Sequence, residues 1–311
     1  IQPEHIICGN GAADLIFRTV FAAKPKKALL LAPTFSEYEK ALSAAGCEIN
    51  FYALKEENDF ALGDDYINVL EGGYDIVFLC SPNNPTGGEL SEQCLLEIVT
   101  RCKRLGILPV IDMSFADFSE NTVSANVLAE AGAAVIKAFT KIYAMPALRL
   151  GYMLCCDEDL LGKVSLAGQS WSVNSLAQAA GAAALDDSDF IGRTVEYISR
   201  ERRFLTEKFG AMGIKTYPAA ANFILLKSEH DLADIAMESG IALRRCENFC
   251  GLDGSFFRTA VRSHEDNIEL VMALERGLLN GAGNYVQRRQ ELFCGGSVQD
   301  IPRGRLLLCA L

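Results

Sequence analysis

Ala138-Phe-Thr-Lys141-Ile-Tyr-Ala-Met-Pro-Ala-Leu-Arg149-Leu-Gly151-Tyr152 is the stretch whose reading decides the fold. The run before it, Ala133 to Ala138, is apolar apart from Lys137 and reads as a buried strand. From its end to Arg149 the only charge is Lys141. A cation at a strand end costs free energy unless it is solvated, paired or consumed in a covalent bond. Eight residues on, Arg149 stands near a glycine, placed to meet an anion. An amine able to condense with an aldehyde, beside a guanidinium for a phosphate, suits a phosphorylated aldehyde cofactor.

Upstream, helix and strand alternate. Helical patterns cover 11–23, 35–45 and 91–104, with Ser91 as an N-cap. Strand patterns cover 27–31, 48–53, 74–80, 107–111 and 135–139. This alternation predicts an α/β fold, a mainly parallel sheet with helices on both faces. Ligands collect at the carboxyl ends of such strands, where Asn84, Asp112 and Lys141 fall. After Trp171 come helices over 176–185 and 190–209, short strands near 216, 222–226, 242–245 and 255–261, and a helix over 265–279. The expected organisation is a large domain 1–186, a smaller α+β domain 187–280 and an irregular tail 281–311.

Half of the 311 residues are hydrophobic and 22% are charged, which places the chain among globular proteins. A net charge of −11 without a Lys/Arg run argues against nucleic acid and anionic membranes as partners. No apolar stretch is long enough to span a bilayer, and no signal peptide opens the sequence. Eleven cysteines, without any Cys-x-x-Cys and with three histidines, read as buried thiols of a reducing cytoplasm. No metal site is expected.

Four motifs occur in order: Gly9-Asn-Gly11-Ala12-Ala13-Asp14, Ser81-Pro-Asn-Asn84-Pro-Thr-Gly87, Asp112 at a strand end, and Thr140-Lys141 followed by Arg149. Each alone has a plain alternative. Asn-Pro-Thr-Gly is a turn in most sequences, and an aspartate after a strand can be a cap. Together, over roughly residues 1–280, they resemble the fold-type-I pyridoxal 5′-phosphate (PLP) enzymes of the aminotransferase class I/II superfamily. The resemblance implies a PLP transferase-like fold and a role for each residue. Lys141 carries the cofactor covalently, and Asp112 pairs with the pyridine N–H and keeps the ring an electron sink. Asn84 donates to the cofactor phenolate. The backbone of Gly11, Ala12 and Ala13 at a helix start, with Thr140 and Arg149, holds the phosphate. Phe35 falls where the family stacks an aromatic ring on the pyridine, although its spacing equally suits a core residue starting a helix. Arg258 matches the arginine for the substrate α-carboxylate, Arg244 a second substrate-side arginine, and Asn174 a substrate contact. Arg262 reads as structural.

Two branches compete. Pro33-Thr-Phe-Ser-Glu-Tyr38, Phe115 within Asp112-Met-Ser-Phe-Ala-Asp-Phe118, Trp171 to Gln178, and Arg245 to Leu252 resemble the L-threonine-O-3-phosphate decarboxylases of cobalamin biosynthesis. The histidinol-phosphate aminotransferases are the alternative, and a truncated, non-catalytic homologue is a third reading. The resemblance implies a homodimer acting on a small phosphorylated amino acid. It also implies an N-terminal arm that residues 1–8 do not supply, so the expectation is that an extended chain works better.

Overall fold

In the computed structural model, which describes residues 1–121, 123–281 and 307–308, the chain forms two compact units. The first comprises Ile1–Ser199, Tyr217–Ala221 and Phe249–Gly251, the second Arg200–Thr216, Asn222–Asn248 and Leu252–Leu311. The division falls inside a helix, at 199/200, while the expected domain boundary is 186/187. The expected tail, 281–311, lies outside the described residues except for Gly281 and Leu307–Leu308.

The first unit is built on a seven-stranded sheet: β1 (Ile6–Gly9), β2 (Lys27–Ala32), β3 (Glu48–Ala53), β4 (Ile76–Cys80), β5 (Leu108–Asp112), β6 (Ala134–Ala138) and β7 (Gly151–Leu154). Its order is β1-β7-β6-β5-β4-β2-β3. Strands β2 to β6 pair in parallel, and β7 runs antiparallel to both β6 and β1. All five residues of β4 are buried, which fits a strand covered on both faces.

The flanking helices are α1 (Ala12–Ala23), α2 (Ser36–Ala44), α3 (Tyr66–Val69), α4 (Glu92–Leu105), α5 (Ala125–Ala131), α6 (Phe139–Ile142), α7 (Glu158–Leu166) and α8 (Ser175–Asp186). Helix α1 buries Leu15, Ile16, Thr19 and Val20, a stripe at helical spacing. Helix α4 starts at Ser91, whose hydroxyl accepts from Cys94 N at 3.2 Å, and ends at Gly106 with φ 71°.

Helix α9 (Phe190–Ala211) crosses the division between the units. The second unit adds β8 (Lys215–Thr216), β9 (Phe223–Lys227), α10 (Leu232–Met237), β10 (Ile241–Ala242), β11 (Arg244–Arg245), β12 (Phe256–Ala260) and α11 (His264–Gly281). Its four-stranded antiparallel sheet runs β11-β12-β9-β8. Leu307–Leu308 forms β13, parallel to β10.

Candidate active site

Cys80 of β4 is the register partner of Asp112 of β5, and Asp112 that of Ile136 of β6. Three parallel strands therefore end side by side, delivering Ser81–Gly88, Met113–Phe115 and Phe139–Lys141 to one edge of the sheet.

Asp112 is buried, 3% exposed. Its Oδ2 accepts from the Tyr38 hydroxyl at 2.8 Å and its Oδ1 from Ser114 N at 2.9 Å. Burial pushes the carboxyl above its ordinary range, opposed by hydrogen bonding from Ser114 and Tyr38 and by the Lys141 charge. A carboxylate held mainly by neutral donors in a dry site is suited to receive a cationic N–H.

Lys141 lies in α6, its Nζ 5.6 Å from the centre of the buried Phe115 ring. The strand before it carries a second lysine, Lys137, which binds Asp117 at 2.6 Å. That ion pair separates the two amines chemically. Thr140 is buried beside Lys141. Met113, next to Asp112, is 1% exposed and packs as core.

Asn83 and Asn84 are both buried. Asn83 ties the turn together: its Nδ2 donates to Pro33 O at 3.0 Å and Thr86 Oγ1 at 2.9 Å, and its Oδ1 accepts from Thr34 at 2.8 Å. Asn84 is thereby held in a rigid turn at the strand end. Ala220 N donates to Gly87 O at 2.8 Å, bracing the turn from its far side.

The anion cradle forms at the start of α1. Gly11 occupies the N-cap with φ 86° and ψ 169°. A Cβ there would stand 2.8 Å from the Arg149 guanidinium, so the missing side chain lets arginine and helix N–H groups converge. Gly151 has the same logic: its Cβ would lie 2.7 Å from Ala12 N. Ala12 and Ala13 form the first turn. Arg149 itself adopts φ 59°, and its Nη1 donates to Pro146 O at 3.0 Å. Asp14 braces the cradle, accepting from Asn10 N at 2.9 Å and pairing with the buried Arg18 at 3.4 Å.

Phe35 precedes α2, its ring edge-on to Tyr38 at 5.6 Å. Asn174, expected as a substrate contact, also serves the fold. Its Oδ1 caps α8 by accepting from Ala177 N at 2.9 Å, and its Nδ2 donates to Leu148 O at 2.9 Å. Both polar ends are used by the fold, and the residue steadies the loop that carries Arg149.

In the second unit, Arg244 and Arg258 are direct cross-strand partners. Arg258 is 8% exposed, with its guanidinium 4.8 Å from the centre of the Phe223 ring. Burial and the neighbouring Arg244 charge lower its pKa, although it stays a cation. Arg244 is exposed and donates to Asn248 Oδ1 at 2.9 Å. Arg262 pairs with Asp266 at 3.0 Å, and Arg245 with Asp231 at 2.7 Å and Asp234 at 2.6 Å, both structural.

Tyr38 is the functional neighbour that sequence reading misses. Its bond to Asp112 spans 74 positions and leaves no local signal.

The residues fit PLP. A buried acid stands at one strand end, an amine sits three residues past another, and a side-chain-free helix start meets an arginine. Comparison with known proteins agrees. The chain is 36% identical to the threonine-phosphate decarboxylase of Salmonella typhimurium, over 90% of this chain and 79% of that protein. It superposes on the histidinol-phosphate aminotransferase of Clostridium acetobutylicum with a TM-score of 0.83 and 27% identity, covering 89% of this chain and 84% of that one. On the L-threonine-O-3-phosphate decarboxylase of Porphyromonas gingivalis the TM-score is 0.77 at 25% identity, covering 90% and 85%. The match to the aminotransferase class I and II family runs over residues 1–274, and the chain belongs to that family.

Proposed function

We propose that this protein uses PLP to decarboxylate L-threonine O-3-phosphate, giving aminopropanol phosphate for cobalamin biosynthesis. The observation that carries this reading is the cross-strand pair Arg244 and Arg258. Like charges placed directly opposite are unfavourable by themselves, and a substrate with two anionic groups relieves them. Threonine phosphate has a carboxylate and a phosphate. Histidinol phosphate carries its phosphate ester on the CH2–O group that stands in place of the carboxylate, and so offers a single anionic group. The 36% identity to a threonine-phosphate decarboxylase supports the same choice.

When bound, PLP supplies an electron sink for the pair released as a bond at Cα breaks. The protein does the rest. Arg258, buried and stacked on Phe223, fixes the carboxylate, while Arg244 reaches the phosphate from the next strand. With both anionic groups held, the Cα–carboxylate bond would be the one presented for breaking. Carbon dioxide leaves, and Lys141 Nζ delivers a proton to Cα. Asp112 keeps the sink cationic.

A homodimer in the cytoplasm is the working state in this reading. Among the described residues no helix is long and apolar enough to cross a membrane.

The higher structural similarity to a histidinol-phosphate aminotransferase favours transamination as the second reading. Incubation with PLP and threonine phosphate decides between them. Carbon dioxide release without a keto-acid acceptor is expected. Conversion of the cofactor to pyridoxamine phosphate by histidinol phosphate, with no carbon dioxide from threonine phosphate, would establish the aminotransferase instead.

A further inference from the structure

The geometry points to Tyr38 as the residue that sets the ionisation of Asp112, a positioning residue one step removed from the cofactor. This inference rests on the PLP reading of the site. Tyr38 is fully buried in α2. Its ring stacks on Phe78 at 5.0 Å and 16° and meets Phe35 edge-on, which fixes the hydroxyl oxygen between Asp112 and Cys80. It donates to Asp112 Oδ2 at 2.8 Å. The groups around that carboxylate are few. Cys80 faces it from β4, Tyr38 from α2 and Lys141 from α6, and the Ser114 N–H closes it from its own strand end.

Each neighbour has a different reach. Burial holds Cys80 as a neutral thiol, and its Sγ–H donates to Pro82 O at 3.2 Å. Lys141 acts on Asp112 through its charge, and its amine would be committed to a covalent role with the cofactor bound. Tyr38 and Ser114 N are therefore the donors that stay at all times. Burial, with the Asp112 charge next, raises the Tyr38 pKa far above neutrality, so it remains a donor throughout the working range. A phenol locked in this state favours the carboxylate over the acid. Only the carboxylate can hold a pyridine nitrogen as its protonated form.

The test compares the full chain with Tyr38→Phe, Asp112→Asn and the double variant. Phe keeps the ring and its stacking, so the change is confined to the hydroxyl. PLP binding is followed by cofactor absorbance. Tyr38→Phe should bind PLP about 10- to 100-fold more weakly, the range expected for losing a hydrogen bond to a charged group. In the Asp112→Asn background the same change should be nearly silent. A second readout needs no cofactor: the infrared band of protonated carboxyl in the PLP-free chain. The component that Asp112→Asn removes should titrate about one to two pH units higher in Tyr38→Phe. Equal losses of PLP affinity in both backgrounds, or an unmoved titration, would overturn the inference. A shifted titration in a chain that binds no PLP would retain the coupling and reject the PLP reading.

Discussion

Lys137 and Lys141 stand four residues apart on opposite chemical footings. Lys137 is tied to Asp117 at 2.6 Å, with 15% of its side chain exposed. That ammonium is already occupied by a carboxylate. Lys141 has its Nζ 5.6 Å from the centre of the Phe115 ring, at the edge where the strands end. Borohydride reduction of the PLP-loaded protein, followed by peptide mapping, should place the label on Lys141. Label on Lys137 would reverse the assignment. The strand-end placement of Asp112 and Lys141 is legible in sequence for a simple reason. Asp112 and Lys141 are charges at the ends of apolar runs, a cost that function can justify. Asn174 shows the opposite case. An asparagine before a helical pattern is a cap first, and the structure uses it as one.

At the scale of elements, the phosphate cradle depends on β7 lying close against the start of α1. Gly151 makes that approach possible, and a Cβ there would stand 2.7 Å from Ala12 N and 2.8 Å from Gly11 C. Backbone cannot move aside as a flexible side chain can. Gly151→Ala is expected to push β7 from the helix start and weaken binding of both PLP and inorganic phosphate, measured by titration. Unchanged affinities would show that the cradle does not need this contact. Strand β7 and its partner β1 have no clear signature in the sequence. Each has four residues, and with mixed burial β1 lacks the long apolar run that marks β4. Their pairing is antiparallel, unlike the β-α rhythm around them. Helix α4 is legible because its cap, apolar stripe and terminal glycine all agree. In the second unit, α9 and α11 meet through Glu201, 2% exposed, which accepts from Asn267 Nδ2 at 3.1 Å and lies 2.9 Å from His264 Nδ1. Burial raises the Glu201 pKa, but the hydrogen bonds from His264, Asn267 and Arg200 outweigh it and the net shift is downward. A lowered folded-state pKa contributes stability that is present above the unfolded value, about 4.3. It is lost as pH falls through the folded value. Glu201→Gln should cost about 1–3 kcal/mol at neutral pH and flatten the acid limb of the melting-temperature profile. An acid limb as steep as that of the parent would remove Glu201 from the cause.

For the whole molecule, the exposed apolar surface around α8 calls for a partner. Leu166, Trp171, Leu176 and Leu185 are 88%, 96%, 73% and 64% exposed, while α8 buries only Ala177 and Gly181. Scattered single exposures are ordinary, but four large apolar side chains within twenty residues, on and just before one Ala-rich helix, are more than a lone surface usually shows. In the homodimer proposed above, a second copy of the chain is expected to cover these side chains. The same helix reaches into the chemistry. Its cap, Asn174, donates to Leu148 O, next to Arg149, and Arg149 is the side chain that meets the helix start at Gly11. A dimer contact on α8 therefore steadies the phosphate cradle through Asn174, and loss of the contact loosens it. Leu176→Glu combined with Leu185→Glu should place charge in the contact and yield a monomer by sedimentation equilibrium, with the fold retained by circular dichroism. The monomer should also hold PLP less tightly than the parent. Retained dimerisation would move the interface elsewhere. A monomer with parental PLP affinity would keep the interface and break the proposed link through Asn174 to Arg149.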